Sequence, residues 1–175
     1  FEALILEAKQ AGDSWGGTLD VRVTGVPAGL GEPVFGKLKA RLADAVTGIG
    51  AVSGVVWGGE DFLADVARRG TEFHAAGRGV YGGIQGGLAN GEPIALRVFF
   101  KPPATLADAA KAGRHDPCIL PRAVPVVEAM VTLVLADLWL LQLARPHLTP
   151  RLYRLKLEYP DGRIETVDDP YRFVN

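Results

Sequence analysis

The sequence predicts an α+β fold, and three features of its apolar pattern support that prediction. Apolar and polar residues alternate over residues 18–23, as in a half-buried strand. Residues 52–57 are β-branched and apolar, and residues 94–100 are rich in strand formers. Apolar residues recur at helical spacing from Pro33 onward and again after Pro121. Strands and amphipathic helices therefore share one chain.

The composition is that of an ordinary globular protein. The 175 residues are 48% hydrophobic and 22% charged, so the chain can bury one sizeable core. The net charge of -1 gives no overall attraction to nucleic acid or to an anionic membrane surface, and we expect neither as a partner. Any anion site must therefore be local. The single cysteine, Cys118, excludes an internal disulfide and suits a reducing cytoplasm.

The first residues do not have the pattern of a targeting signal. Residues 1–4 lack a basic leader and a continuous apolar run, and they resemble the interior of a longer chain. Glu128 and Asp137 interrupt the most apolar helix, so we expect no segment of about 18 apolar residues to span a membrane. These features predict a soluble, cytoplasmic protein.

The elements of the first half follow from glycine and proline positions and from apolar spacing. Residues 3–10 predict a helix or the tail of a strand, and the glycine-rich residues 12–17 interrupt the chain before the first strand. Residues 25–31 predict a turn. A helix is expected to start at Pro33 and to end at Gly48. Its inner face repeats every four residues, at Val34, Leu38, Leu42 and Val46.

The middle of the chain is rich in glycine. Residues 60–69 predict a short helix, and residues 74–79 predict a mobile connection. Residues 82–87 hold four glycines, a density that lets backbone amides approach a ligand or adopt positive φ. A glycine-rich turn or bulge between strands would explain the same residues. After the strand at 94–100, Lys101 is well placed for an anion, although most such lysines are merely solvated.

The helix after Pro121 is the longest that the pattern predicts, and Thr105 is expected to cap a much shorter one over residues 106–112. Steps of three and four residues give one apolar stripe about five turns long. The stripe contains Val124, Val127, Val131, Val134, Leu138 and Leu141. A second apolar face includes Met130, Leu133, Leu135 and Leu140. Two apolar faces indicate burial on two sides, by a sheet or by another subunit, and core packing is favoured.

Residues 113–118 (Gly-Arg-His-Asp-Pro-Cys) concentrate reactive side chains in a segment that proline keeps out of regular structure. Pro117 favours an extended backbone at Asp116, so the carboxylate stands away from the chain. Asp116 can exchange a proton, whereas the charged Arg114 beside it suits a phosphate or a carboxylate. A surface Arg–Asp pair at a turn is the alternative. Arg122, a few residues further on, is another candidate anion ligand.

Two groups of motifs carry a family resemblance. Residues 113–118 run into residues 121–130 (Pro-Arg-Ala-Val-Pro-Val-Val-Glu-Ala-Met), and upstream lie Gly-Gly-Ile-Gln-Gly-Gly at 82–87 and Asn-Gly at 90–91. In this order they resemble the C-terminal half of chorismate synthases, over about residues 8–143. The resemblance implies a β-α-β sandwich of largely antiparallel strands packed on helices, of which this chain would hold half. It also implies a homotetramer with flavin sites near the subunit contacts.

The resemblance further implies an activity and a set of site residues. Chorismate synthases use reduced FMN for a trans-1,4 elimination of phosphate from 5-enolpyruvylshikimate 3-phosphate, and NADPH takes part only where flavin reduction is intrinsic. No metal is expected. Asp116 matches the family's catalytic aspartate, and Arg122 is expected to bind the substrate. The positions that match FMN contacts are Gly50, Ala51, Gly86, Lys101, Pro102, Pro103, Ala104, Thr105 and Arg114.

The sequence also departs from the family pattern. The family's N-terminal half supplies a histidine in a Gly-Glu-x-His-Gly stretch, substrate arginines and a serine-rich FMN segment, none of which occurs in this sequence. Its three histidines are His74, His115 and His147. Residues 101–105 (Lys-Pro-Pro-Ala-Thr) replace the commoner Lys-Pro-Thr. Because the sequence contains only half of the expected site residues, we expect the chain to be inactive alone. The alternative is a non-enzymatic flavin-binding, anion-binding or scaffold fragment.

The pattern changes in the last residues, 148–175. Residues 152–159 alternate strictly, and a Pro-Asp-Gly turn leads into residues 163–167, which predicts a β-hairpin. Residues 153–173 resemble a β-module segment near the start of glycogen branching enzymes. We therefore expect one domain over residues 1–147 and a separate tail, which is either a foreign segment or a family-specific extension.

Overall fold

The computed structural model describes most of the first 144 residues and two strands beyond them. The described ranges are 1–32, 34–58, 67–75, 77–107, 116–144, 154–158 and 164–168. Contacts between residues divide the chain into two units, Phe1–Leu138 and Trp139–Asn175. In chain order the elements are α1 (Glu2–Ala11), β1 (Gly17–Val23), α2 (Leu38–Thr47), β2 (Val52–Trp57), α3 (Gly70–Ala75), a 3₁₀ turn (Arg78–Tyr81), β3 (Ile84–Gln85), β4 (Leu88–Ala89), β5 (Ile94–Phe100), α4 (Leu120–Ala144), β6 (Arg154–Glu158) and β7 (Ile164–Asp168).

A three-stranded antiparallel sheet forms the centre of the first unit. Its order is β1-β5-β2, so β5 lies in the middle and pairs with both neighbours. The strands predicted at 52–57 and 94–100 occur with those bounds, and the strand predicted at 18–23 begins at Gly17. The prediction of a mixed fold with antiparallel strands is confirmed.

One face of β5 points into the core of the first unit. Burial alternates along this strand, and its buried residues are Ile94, Leu96, Val98 and Phe100. Leu38, Leu42 and Val46 of α2 join the same cluster and are each 0% exposed. Their four-residue spacing places them on one stripe of the helix. Each such side chain contributes about 1.5–3 kcal/mol when fully buried, so this contact holds α2 against the sheet.

Helix α2 starts at Leu38 and not at Pro33 as the sequence predicts. The N–H of Leu38 donates to the carbonyl of Gly87 at 2.8 Å, and the N–H of Glu32 donates to the carbonyl of Gly36 at 3.2 Å. Val34 has a φ of 74° and is 61% exposed, so it lies outside both the helix and the core. Pro33 itself is outside the described residues. The prediction is wrong because contacts with a distant hairpin, and not local spacing, set the first helical residue.

Two segments before and after this region are helical. Residues 3–10, predicted to be a helix or the tail of a strand, lie in α1, and Gly12 caps this helix with a φ of 70°. Residues 74–79, predicted to be a mobile connection, contain the end of α3 and the start of the 3₁₀ turn. The short helices predicted at 60–69 and 106–112 fall mainly on residues outside the described ranges.

An aromatic cluster accounts for the local order around α3. The ring of Phe73 meets those of His74 and Tyr81 edge-on, with centroids 5.4 and 5.7 Å away. His74 also stacks on Tyr81, and its Nδ1 shares a hydrogen bond with the Tyr81 hydroxyl. Ring contacts of this kind stabilise a turn beyond the area that they bury. The sequence interpretation relied on the glycines of this segment and did not predict these ring contacts.

The long helix α4 occurs as predicted, but two positions of the expected stripe are not buried: Val124 is exposed and Leu141 is half-buried. Its buried residues are Leu120, Ala123, Val127, Val131, Val134, Leu135 and Leu138. Val124, expected on the inner stripe, is 49% exposed, whereas the neighbouring Ala123 is 4% exposed. Helical spacing from Leu120 leads to Ala123 and then to Val127. The expectation for Val124 is wrong. It selected the larger apolar residue, valine, but the adjacent Ala123 is the residue that lies on the buried face of the helix.

The second apolar face of α4 is only partly covered. Leu135 is buried, but Leu133 is 63% exposed and Leu140 is 66% exposed. By length and composition alone α4 would suffice to cross a membrane, although Glu128 and Asp137 predicted no such segment. The core helix of a soluble protein passes the same test, and the other face of α4 packs in the core. The finding therefore assigns no membrane to the chain.

The second unit contains the hairpin predicted for the tail. Strands β6 and β7 pair antiparallel, with Arg154 opposite Asp168 and Glu158 opposite Ile164. The turn between them lies outside the described residues. The contact-based division of the chain falls inside α4, after Leu138. The domain boundary near residue 147 and the origin of the tail stay predictions.

Val127 and its neighbour Val126 test the register of α4, because they are 1% and 45% exposed. We expect Val127→Ala to lower the free energy of unfolding by about 1.5–3 kcal/mol, since two methyl groups leave a packed core. Val126→Ala makes the same change in helix propensity and should alter it by less than about 0.5 kcal/mol. Urea unfolding followed by circular dichroism measures both. Equal losses would contradict the observed register.

An ion pair joins β1 to β5 on the exposed face of the sheet. Arg97 donates from Nε and Nη2 to the two carboxylate oxygens of Asp20, at 2.5 and 2.9 Å, and the two residues are direct partners in register. The hydrogen bond from Arg97 holds the pKa of Asp20 below its ordinary value. A carboxyl group with a lowered pKa stabilises the folded state only while it is ionised.

Asp20→Asn should therefore lower the free energy of unfolding by about 0.2–1 kcal/mol near neutral pH, the range for exposed ion pairs. The difference between parent and variant should begin to shrink below about pH 3.9, the ordinary aspartate value, and disappear below the folded-state pKa. Urea unfolding across this pH range is the measurement. A difference that persists once Asp20 is protonated would exclude the charge as its source.

Candidate functional site

Two predicted site segments meet at one end of the sheet, where β5 ends and β2 begins. Val52 pairs with Phe100, and the next residue, Lys101, donates its N–H to the carbonyl of Ala51 at 2.9 Å. Antiparallel pairing thus places side by side two segments that are distant in sequence. Ala51 has a φ of 69°, a left-handed conformation that turns the chain into β2.

The glycine-rich residues 12–17 lie between the two loops that carry most of the predicted site. Ser14 Oγ donates to the carbonyl of Pro103 at 2.7 Å. The next residue, Trp15, donates its N–H to the carbonyl of Pro117 at 2.8 Å. Successive residues of one segment therefore tie the loop after β5 to the loop before α4.

Glycine makes this close approach possible. A β-carbon on Gly16 would lie 2.4 Å from the Phe100 carbonyl oxygen and 2.9 Å from the Pro102 nitrogen. A β-carbon on Gly17 would lie 2.6 Å from Leu120 Cδ1. The Gly16 contacts are with backbone atoms and leave no room for a side chain, whereas at Gly17 the Leu120 side chain would have to move. The sequence marked this segment only as an interruption before a strand, and its role in building the site was missed, although two adjacent glycines at a strand start could have indicated it.

Asp116 lies on the loop before α4 and is paired with Arg122. Nη1 of Arg122 donates to Oδ2 of Asp116 at 2.7 Å, and the two side chains are 54% and 37% exposed. Between them, Cys118 and Leu120 are each 7% exposed, so the backbone here is anchored in the core. The carboxylate stays accessible while Cys118 and Leu120 are buried. The thiol of Cys118 is free and buried.

The other predicted contacts at this end of the sheet follow Lys101. The exposed residues of this loop are Lys101, Pro102 and Ala104, and the half-buried ones are Pro103 and Thr105. Gly50 faces open space, because a β-carbon there would meet no atom within 4 Å. Arg114 and His115 lie outside the described residues. Among the described residues, the predicted site groups that are accessible here include the ammonium of Lys101, the guanidinium of Arg122 and the carboxylate of Asp116.

Gly86 lies at a different place in the fold. With Gly87 it forms the two-residue turn between β3 and β4, and their φ values of 60° and 91° are typical of a type I′ hairpin turn. Leu38, the first residue of α2, donates its N–H to Gly87, whereas Ala51 follows the other end of α2. A helix of 10 residues is about 15 Å long, so α2 separates Gly86 from the end of the sheet that carries Ala51.

The cationic side chain of Lys39 lies in the first turn of α2, at the same end of the helix as this hairpin turn. Nζ of Lys39 is 5.6 Å from the ring centroid of Trp57, the last residue of β2. Burial lowers the pKa of Lys39. Within the described ranges, no group of three or more His, Cys, Asp and Glu side chains could hold a metal ion.

These observations define a class of protein: an α+β chain that presents charged side chains on loops at one end of an antiparallel sheet. Residues 1–140 match the family model described as chorismate synthase, which is more than half of the chain. The chain belongs to the chorismate synthase family. The resemblance of residues 153–173 to glycogen branching enzymes stays a prediction.

Individual relatives support the family assignment. The chain is 49% identical over 137 residues to the chorismate synthase of Bdellovibrio bacteriovorus, which covers 78% of this chain and 40% of that protein. It is 49% identical over 155 residues to the chorismate synthase of Archaeoglobus fulgidus, covering 75% and 42%. A solved structure titled "Crystal Structure of Chorismate Synthase" superposes with a TM-score of 0.62 at 33% identity, covering 81% of this chain and 42% of that one. The chain spans less than half the length of the curated relatives it matches.

Gly16→Ala tests whether the site depends on the close approach of residues 12–17. We expect it to lower the free energy of unfolding by about 1–3 kcal/mol, because the backbone after Phe100 must move to admit the methyl group. Gly50→Ala is the matched control, since its β-carbon enters open space, and it should change stability by less than about 0.5 kcal/mol. Thermal unfolding measures both variants. Similar effects of the two would show that residue 16 is not tightly packed.

Proposed function

We propose that this chain forms part of a chorismate synthase, an enzyme that uses reduced FMN to convert 5-enolpyruvylshikimate 3-phosphate to chorismate by trans-1,4 elimination of phosphate. The observation that carries the proposal is the arrangement of Asp116, Arg122 and the Lys101 loop around residues 12–17. These are the residue types that an elimination of an anionic group requires. The family match supports the assignment of the reaction.

The end of the sheet next to Ala51 fits an anionic cofactor. Lys101 is exposed, and a β-carbon at Gly50 would enter open space, so a ligand can approach the backbone there. In the proposal FMN would be held at this end by Gly50, Ala51, Lys101, Pro102, Pro103, Ala104, Thr105 and Arg114. The remaining predicted contact, Gly86, lies at the other end of α2. Reduced FMN, when bound, supplies the electron-rich ring system that the elimination uses, and NADPH takes part only if flavin reduction is intrinsic.

Asp116 carries the proton transfer in this proposal. Its carboxylate is accessible, and the hydrogen bond from Arg122 holds one of its oxygens while the other can still accept a proton. Lys101 supplies positive charge for the phosphate of the substrate, whereas Arg122, predicted from the sequence to bind the substrate as well, is paired with Asp116. The chain thus contributes one proton-transfer group and two cations to the reaction.

We also propose that the enzyme is a cytoplasmic homotetramer built on a full β-α-β sandwich. The exposed Leu133 and Leu140 of α4 support an assembly, because apolar surface of this kind is typical of contacts between chains or layers. A chain that spans less than half of its relatives is expected to be inactive alone. The alternative of a non-enzymatic flavin-binding, anion-binding or scaffold fragment is not favoured, because the compared relatives are named as the enzyme.

The test is chorismate formation by the full-length protein, measured anaerobically with reduced FMN. Asp116→Asn keeps the shape of the side chain and removes the proton acceptor, so turnover should fall about a hundredfold to ten-thousandfold. Affinity for FMN, measured by flavin fluorescence, should change less than about threefold, since a proton-transfer group acts on turnover rather than on binding.

Asp137→Asn is the control for this substitution. Asp137 is also an exposed aspartate in an arginine pair, with Arg41 Nη2 at 2.6 Å, but it lies on α4 away from the loops of the site. Its turnover should stay within about twofold of the parent. Normal turnover in Asp116→Asn would show that Asp116 is only a structural partner of Arg122, and absence of chorismate from the parent would refute the proposed reaction.

A further inference from the structure

Arg122 has a partner within its own chain that the sequence did not reveal. The sequence assigned this arginine to the substrate, but its Nη1 donates to Oδ2 of Asp116 at 2.7 Å. Among the described residues, Arg122 is the hydrogen-bond partner of the Asp116 side chain. The group proposed to transfer the proton is therefore oriented by a cation six residues further along the chain.

The two partners differ in the kind of backbone on which they lie. Arg122 lies in the first turn of α4, where its N–H donates to the carbonyl of Ile119 at 3.0 Å. Its neighbours Leu120 and Ala123 are buried at 7% and 4% exposure, so the helix start is fixed in the core. Asp116 lies on irregular backbone before the helix, and its side chain has two free torsions. A contact from a packed helix to an irregular loop fixes the loop side chain rather than the helix.

We infer that Arg122 is a positioning residue for Asp116, holding its carboxylate in one rotamer at the site. This inference rests on the proposed function for its role in the reaction, but the contact itself does not. A guanidinium has five N–H donors in a fixed plane, so one can bind Asp116 while others remain for a ligand. Positioning matters because a reacting group displaced by about 1 Å can cost a hundredfold in rate.

The first test needs no activity. Three-bond couplings around the Asp116 side chain, measured by NMR on the isotope-labelled 175-residue chain, report its rotamer populations. We expect one dominant rotamer in the parent, averaging over several in Arg122→Gln, and an intermediate result in Arg122→Lys. The couplings of Asp137, which pairs with Arg41, serve as the internal control and should not change. Unchanged Asp116 couplings in Arg122→Gln overturn the inference.

The second test uses the full-length enzyme and separates positioning from substrate binding. We expect Arg122→Gln to lower turnover about tenfold to a hundredfold with the Michaelis constant within about threefold. Arg122→Lys should recover turnover to within about tenfold of the parent, because an ammonium can still donate to the carboxylate. In an Asp116→Ala background, Arg122→Gln should have no further effect on turnover, since no carboxylate remains to be held.

The outcomes distinguish the inference from the proposed function. A large rise in the Michaelis constant on Arg122→Gln, present with or without Asp116, would make Arg122 a substrate ligand and overturn the positioning role. If the parent forms no chorismate while Arg122→Gln still averages the Asp116 couplings, the proposed function fails and the positioning contact stands.

Discussion

The close packing of residues 12–17 against two loops is the constraint on which the candidate site depends. Ser14 and Trp15 each form a hydrogen bond to a different loop, and Gly16 leaves the space that the backbone after β5 occupies. A hydrogen bond contributes only about 0.5–1.5 kcal/mol net. Excluded volume acts more sharply, because no side chain fits at 2.4 Å from a carbonyl oxygen. The absence of a side chain at Gly16 therefore contributes more to the geometry of the site than the two hydrogen bonds do.

The core supplies the energy that this geometry requires. The central strand β5 buries one face against α2 and α4, and the fully buried residues of α2 lie on a single stripe. Several buried aliphatic side chains at about 1.5–3 kcal/mol each outweigh any single contact in the loops. Because Lys101 directly follows β5, and Cys118 and Leu120 enter the core, both site loops leave the packed region within a residue or two of their functional groups. The packed core therefore fixes the positions of the backbone segments that carry the exposed charged side chains of the site.

The Asp116–Arg122 pair illustrates how small energies can have a functional role. Both side chains are partly exposed, and exposed ion pairs contribute about 0–1 kcal/mol to stability. Arg41–Asp137 and Arg97–Asp20 are similar pairs that lie elsewhere on the first unit. Stability alone does not distinguish the three. The Asp116 pair differs because it connects a packed helix to an irregular loop that carries a proton-transfer group.

Local patterns in the sequence indicated the family, the three strands of the central sheet, and Leu38, Leu42 and Val46 as the buried residues of α2. The strands at 52–57 and 94–100 are correct to the residue, because strand formers and turn residues change sharply at their ends. The buried stripe of α2 follows from four-residue spacing, which is a property of the helix itself. The long motifs around Asp116 indicate the chorismate synthase family, and the family match agrees.

Only the tertiary structure decided where α2 begins, which residues of α4 are buried, and which groups of the site meet. Leu38 starts its helix because a distant glycine turn accepts its N–H, and Ala123 is buried because the start of α4 sets its register. Gly86 forms part of a hairpin turn at the other end of α2, and Arg122 donates a hydrogen bond to Asp116. Each of these outcomes depends on contacts between distant segments or on the exact point where a helix starts. Spacing along a chain specifies which faces an element has, but not what those faces will contact.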